Sequence, residues 1–117
     1  MFKRPQNDAR YNWTNHVVGK MLEYRISESL IKRIIRFPTR VEEGIADDTV
    51  AVMREAEGQK YSEIWVMYAL SPGHLRNGHR VGKKMTIITA WRYPGKSPER
   101  DPIPPEIMLE IKDLLNL

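Results

Sequence analysis

Cysteine is absent from the 117 residues. Disulfides, thiolate metal centres and a cysteine nucleophile are thereby excluded, and a chain without disulfides is at home in a reducing compartment. Long apolar runs are absent too. No stretch approaches the ~20 apolar residues that a membrane-spanning helix needs. The opening residues, Met1-Phe2-Lys3-Arg4-Pro5-Gln6-Asn7-Asp8, carry no apolar run of the signal-peptide kind. The expectation is a cytoplasmic protein with no membrane partner. Histidine is scarce, at 16, 74 and 79. Only His74-x4-His79 has a spacing a metal can use, and it falls in a segment read as a loop, so neither a metal nor another cofactor is expected. A Gly-rich phosphate loop and a Gly-x-Ser-x-Gly elbow are likewise missing.

What is present suffices for one folded unit. A hydrophobic fraction of 41% with 29% charged residues is ordinary for a globular chain, and the length bounds it to one domain. Charge is distributed unevenly. Residues 1–40 carry nine Lys or Arg against three Asp or Glu, and residues 71–100 carry seven against one. Residues 41–70 reverse the balance, with two against seven, and residues 101–117 are acidic again. Such blocks either solvate a surface or give it one basic and one acidic face, the basic one suited to polyanions.

Residues 1–12 are polar and read as a frayed or disordered N-terminus, leaving 13–117 as a single α+β domain. Thr14 is placed to cap a helix over Asn15–Tyr24, with Val17, Val18, Met21 and Leu22 on one side. Ser27 is placed to cap a second over Glu28–Arg36, with Leu30, Ile31, Ile34 and Ile35 inward, and Pro38 stops it. From Thr39 the period shifts towards two. Arg40–Ile45, Thr49–Glu55, Ser62–Leu70 and Lys83–Tyr93 read as strands of an antiparallel sheet, the last two central. Ser71–Gly82, with Pro72-Gly73 and Asn77-Gly78, reads as a long hairpin arm. A proline-rich linker over Gly95–Pro105 leads to a helix over 106–115, with Ile107, Met108, Ile111, Leu114 and Leu115 inward. Segregated helices and strands favour α+β over a parallel sheet.

His16, Lys20 and Tyr24 fall at i, i+4 and i+8 and share a helical stripe. A histidine, an ammonium and a phenol are suitable tools for moving protons at a phosphodiester, although the same stripe can equally be surface and core edge. Arg25 projects with Val18 and Met21, either paired to an acid across the joint or aimed into a pocket between helix and sheet. Arg92 sits between Trp91 and Tyr93 at a strand end, where an arginine can clamp a phosphate and an aromatic can stack on a base. Arg33 and Arg36 cluster with Lys32 on the outer face of the second helix. With Arg40 and with His74, Arg76, His79, Arg80, Lys83 and Lys84 of the arm they make a candidate groove for backbone phosphates. Glu42-Glu43 and Asp47-Asp48 form an acidic patch suited to a basic partner.

The pattern His16-x3-Lys20-Met21-x3-Arg25-Ile26-Ser27, followed by Ile34 and Pro38, resembles a widespread family of small, mostly uncharacterised domains related to the RelE- and BrnT-like toxin ribonucleases. The resemblance runs from Trp13 to Tyr93; its second half is carried only by hydrophobic strands ending in an aromatic and Pro-Gly. It implies two N-terminal helices packed on an antiparallel sheet of about four strands, and an RNA-handling function. In its sharpest form this is a metal-independent endoribonuclease held in check by an antitoxin or other protein partner. His16, Lys20 and Arg25 match the motif, and Arg92 matches by its place on the last strand; these four are the candidate catalytic residues. The alternative is a non-catalytic nucleic-acid-binding or protein-interaction domain. The arm and the last helix are extra to the minimal pattern.

Overall fold

The computed structural model describes residues 2–71, 74–76, 79–81 and 84–115, with side chains outside 71–83. Strand β1 (Tyr11–Trp13) leads into α1 (Asn15–Tyr24) and α2 (Glu28–Arg36), followed by β2 (Arg40–Glu43), β3 (Thr49–Glu55) and β4 (Ser62–Ser71). Then come β5 (His74–Arg76), β6 (His79–Val81), β7 (Lys84–Pro94) and α3 (Pro105–Lys112). The fold is α+β, built on a five-stranded sheet in the order β1-β7-β4-β3-β2. β5 and β6 pair separately as the antiparallel ribbon of the arm.

The helices start where hydroxyl side chains cap them. Thr14 Oγ1 accepts from the Val17 amide and Ser27 Oγ from the Leu30 amide, each satisfying one of the first-turn donors that no helical carbonyl reaches. Thr14 also ties α1 to the sheet: its hydroxyl lies 3.0 and 2.9 Å from the carbonyl oxygens of Ile87 and Ile88. Ile88 is the extra residue of a β-bulge, since Met67 pairs with Thr89 while Tyr68 pairs with Ile87.

The expected sheet of four antiparallel strands needs one correction. β1 adds a fifth strand, and it runs parallel to β7, with Tyr11 opposite Met85 and Trp13 opposite Ile87. The segment read as frayed therefore reaches the sheet. Three residues are too few to show an alternating pattern, and what fixes them is tertiary: Trp13 is buried, and its amide donates to Asn7 Oδ1.

Strand alternation splits the core in two. Val52, Ile64, Val66, Ile87 and Ala90 face α1 and α2, meeting Val17, Val18, Met21, Ile31 and Ile34. Ala51, Met53, Trp65, Met67 and Trp91 face the other way and are covered by Ile107 and Ile111 of α3. α3 ends at Lys112, short of the expected 115, and its inward face is narrower than expected because Met108 is exposed; Leu114, beyond the helix, is exposed too. Leu22, expected inward on α1, is exposed as well.

A buried carboxylate fixes the linker before α3. Glu63 is 0% exposed and accepts hydrogen bonds from the Trp65 indole, the Tyr61 hydroxyl, and the Ser97 amide and hydroxyl. Arg40 stands 3.8 Å from Glu63 and covers the Trp65 ring at 4.8 Å. Among the described residues no helix is long and apolar enough to cross a membrane.

Candidate functional site

α1 brings two of the four candidate catalytic residues together and holds them with partners from other elements. His16 Nε2 lies 2.9 Å from the Thr89 hydroxyl and 3.7 Å from Glu110 of α3. Lys20 is only 8% exposed, and its ammonium contacts Glu110 at 2.6 Å and Glu23 at 2.8 Å. Burial lowers the pKa of His16, and the nearby Glu110 carboxylate only partly offsets it. At Lys20 burial works the same way, but the hydrogen bonds to Glu110 and Glu23 outweigh it and the pKa rises. A lysine held so firmly protonated is a poor base. Its contacts join α1 to α3.

Arg25 and Arg92 stand at the opposite end of α1. Nine residues separate His16 from Arg25, roughly 13 Å along the axis at about 1.5 Å per residue. The helical projection for Arg25 does not apply, because the helix ends at Tyr24. Arg25 is the left-handed C-cap (φ 56°), with its amide bonded to the Met21 carbonyl. Its side chain is exposed and reaches no acid across the joint among the described residues. Arg92 donates from Nε to the Tyr24 carbonyl at 2.7 Å and from Nη2 to the Arg25 carbonyl at 3.4 Å. A cation there meets orphan carbonyls at the negative end of the helix dipole.

The same guanidinium belongs to a cleft of about 400 Å³ between α2 and the end of the sheet, lined also by Arg33, Arg54, Glu55 and Glu57 over Leu30, Ile34 and Ile64. Register explains the grouping. Arg54 of β3 and Arg92 of β7 both pair with Ile64 of β4, so they flank it on one rung of the sheet. All three continue the helix-facing rows that Val52, Val66 and Ala90 begin. Arg33 enters from α2 above. Arg54 was absent from the candidates read from the sequence. Its signal is the series Val50-x-Val52-x-Arg54, a charge in the next position of an inward apolar row.

The guanidinium groups of this cleft differ in their partners from the ion-paired cations of the chain. Lys20, Lys32 and Arg40 are ion-paired to Glu110, Glu28 and Glu42. Arg54 instead donates to the Phe37 carbonyl at 2.6 Å, and Arg92 to two carbonyls of the α1 terminus. Arg33 is exposed and makes no side-chain hydrogen bond among the described residues. None of the three forms an ion pair among the described residues, although Glu55 and Glu57 line the same cleft. Carbonyl anchors orient a guanidinium without cancelling its charge, and a planar fork of five donors retains free N–H groups for a bidentate anion.

The remaining nucleic-acid candidates are spread out. Arg36 is exposed on the last turn of α2, beside Arg33. Arg76 and Arg80 lie on β5 and β6, in the arm whose side chains are outside the described set, and Lys83 falls outside the described residues. Lys84 begins β7 and is half-buried. A broader groove of about 620 Å³ between the N-terminal segment and α2 is lined by Lys3, Arg4 and Lys32; Lys32 is held by Glu28 at 2.8 Å, and Arg4 donates to Asn15 Oδ1 at 2.6 Å. Among the described residues no three acidic or histidine side chains gather into a metal-holding group.

The class is thus an α+β domain with a mixed sheet, helices on both faces and an arginine cleft at one sheet end. No family model, curated protein or solved structure matches the chain.

Proposed function

We propose that the domain handles RNA by binding its phosphate backbone, with Arg33, Arg54 and Arg92 as the anchor. The observation that carries this reading is the trio itself: three guanidinium groups in one cleft, free of carboxylate partners among the described residues, two of them oriented by backbone carbonyls. Such groups pay little ordering entropy on meeting a phosphate. The two basic stretches of sequence, and the motif resemblance to RelE- and BrnT-like ribonucleases, point to the same ligand. The resemblance is an analogy at family level and weighs less than the cleft.

Binding is favoured over cleavage by where the tools lie. His16 stands at the other end of α1 from Arg25 and Arg92, and Lys20, in mid-helix, is engaged by two carboxylates. Among the described residues the arginine cleft is lined by no histidine. It offers charge stabilisation without the residue type that most readily exchanges protons near neutrality.

The test is a salt titration of RNA affinity. Each phosphate contact released contributes about 0.7 to the slope of log K against log salt for single strands. Arg33→Gln and Arg54→Gln should each lower the slope by about that amount and weaken binding. Arg33→Gln should leave the melting temperature unchanged, since the side chain is exposed. Parental slope and affinity in both variants would place the RNA elsewhere.

A further inference from the structure

The cleft carries an aromatic neighbour that the phosphate reading does not use. Phe37 follows the last residue of α2 and is 59% exposed, although phenylalanine is usually buried. Its backbone is clamped between two cleft arginines. The Phe37 amide donates to the Arg33 carbonyl at 2.9 Å, and the Phe37 carbonyl accepts from Arg54 at 2.6 Å. The next residue, Pro38, has a ring-fixed φ, which further stiffens the segment. An exposed aromatic side chain, its backbone bonded to a guanidinium that has no carboxylate partner among the described residues, combines the two elements of single-strand recognition: cations for the backbone and a π-face for a base.

We infer that Phe37 is a base-stacking platform and that the cleft selects single-stranded over duplex RNA. This rests on the phosphate-binding reading above and adds the substrate class to it. In a duplex the base faces are covered by their neighbours, so a lone ring at the surface gains nothing from them. In a single strand an unstacked base can lie on the ring while the adjoining phosphate sits among Arg33, Arg54 and Arg92. The preference should tolerate changes of sequence, because every base has a π-face.

Fluorescence anisotropy with a labelled single-stranded oligoribonucleotide, and with the same strand annealed to its complement, tests the inference. The parent should bind the single strand more tightly. Phe37→Ala should weaken single-strand binding about tenfold, which is within the range for loss of one base–aromatic stack. It should leave the salt slope and the duplex affinity alone, and Phe37→Trp should restore the affinity. A thermal melt confirms that each variant is folded, as expected for an exposed side chain. Equal single-strand affinity in parent and Phe37→Ala overturns the stacking role, and a parental preference for duplex overturns the single-strand assignment. Either leaves the arginine anchor standing if Arg33→Gln still weakens binding. A parent that binds neither form overturns the anchor and the platform together.

Discussion

Lys20 in the middle of α1 and Arg92 at its C-terminal end are both cations, and the fold treats them differently. Lys20 is buried against two carboxylates, which pair its charge and raise its pKa. Arg92 spends two donors on carbonyls and keeps its charge. A residue's chemistry is therefore set by partners that the sequence does not adjoin: Glu110 lies 90 positions from Lys20, and Tyr24 lies 68 from Arg92. This is why the stripe His16, Lys20, Tyr24 was legible as geometry, while the engagement of its lysine was not. His16 provides a pH test. Burial depresses its folded pKa below the ordinary histidine value, so protons favour the unfolded chain. The contribution to stability is full above that ordinary value and is lost as pH falls through the depressed one. The melting temperature should thus fall between pH 7 and pH 5, and His16→Gln should flatten that part of the profile. An equally steep profile in the variant would assign the loss to other groups.

The helices α1 and α2 were the most legible elements. Their spans, Asn15–Tyr24 and Glu28–Arg36, and their caps at Thr14 and Ser27 follow from local chemistry, and the structure has them as read. β1 and the true face of α3 were not legible. β1 is held by pairing with a strand more than 70 residues later, and α3 buries only Ile107 and Ile111 because a sheet face already filled by Trp65 and Trp91 leaves little to cover. The elements around α3 depend on Glu63. Burial raises the cost of its charge, but hydrogen bonds from Ser97, Trp65 and Tyr61 outweigh it and lower the pKa. The same carboxylate pushes the Tyr61 hydroxyl up to about 12. Glu63→Ala strands these donors while Arg40 keeps Glu42, a change of the kind that costs about 1–3 kcal/mol for a buried group left unsatisfied. Urea denaturation should register that loss, and Glu63→Gln should recover part of it. The folded carboxylate also adds stability above the ordinary glutamate range, which disappears as pH falls through its depressed pKa. A near-neutral Glu63→Ala would mean that the linker is held by Ile103 and α3 alone.

Across the whole molecule, the uneven charge of the sequence forecast basic surface but not which basic residues lack partners. Arg33 and Arg92 were among the candidates, yet they had been given different roles, on a helix face and at a strand end. Only the pairing of Arg54 and Arg92 with Ile64, under α2, puts them in one cleft. That convergence depends on strand register, which no local pattern in this chain announces. The arrangement separates two candidate sites for the proposed ligand: the arginine cleft at the C-terminal end of α1, and the surface around His16 at its start. An amide chemical-shift titration with a short single-stranded RNA distinguishes them in one experiment. Binding through the cleft predicts the largest perturbations at residues 33–37, 54–57 and 92, with little change around His16, Thr89 and Glu110. Perturbations centred on His16 and Glu110, with the cleft unaffected, would contradict the assignment of RNA to Arg33, Arg54 and Arg92.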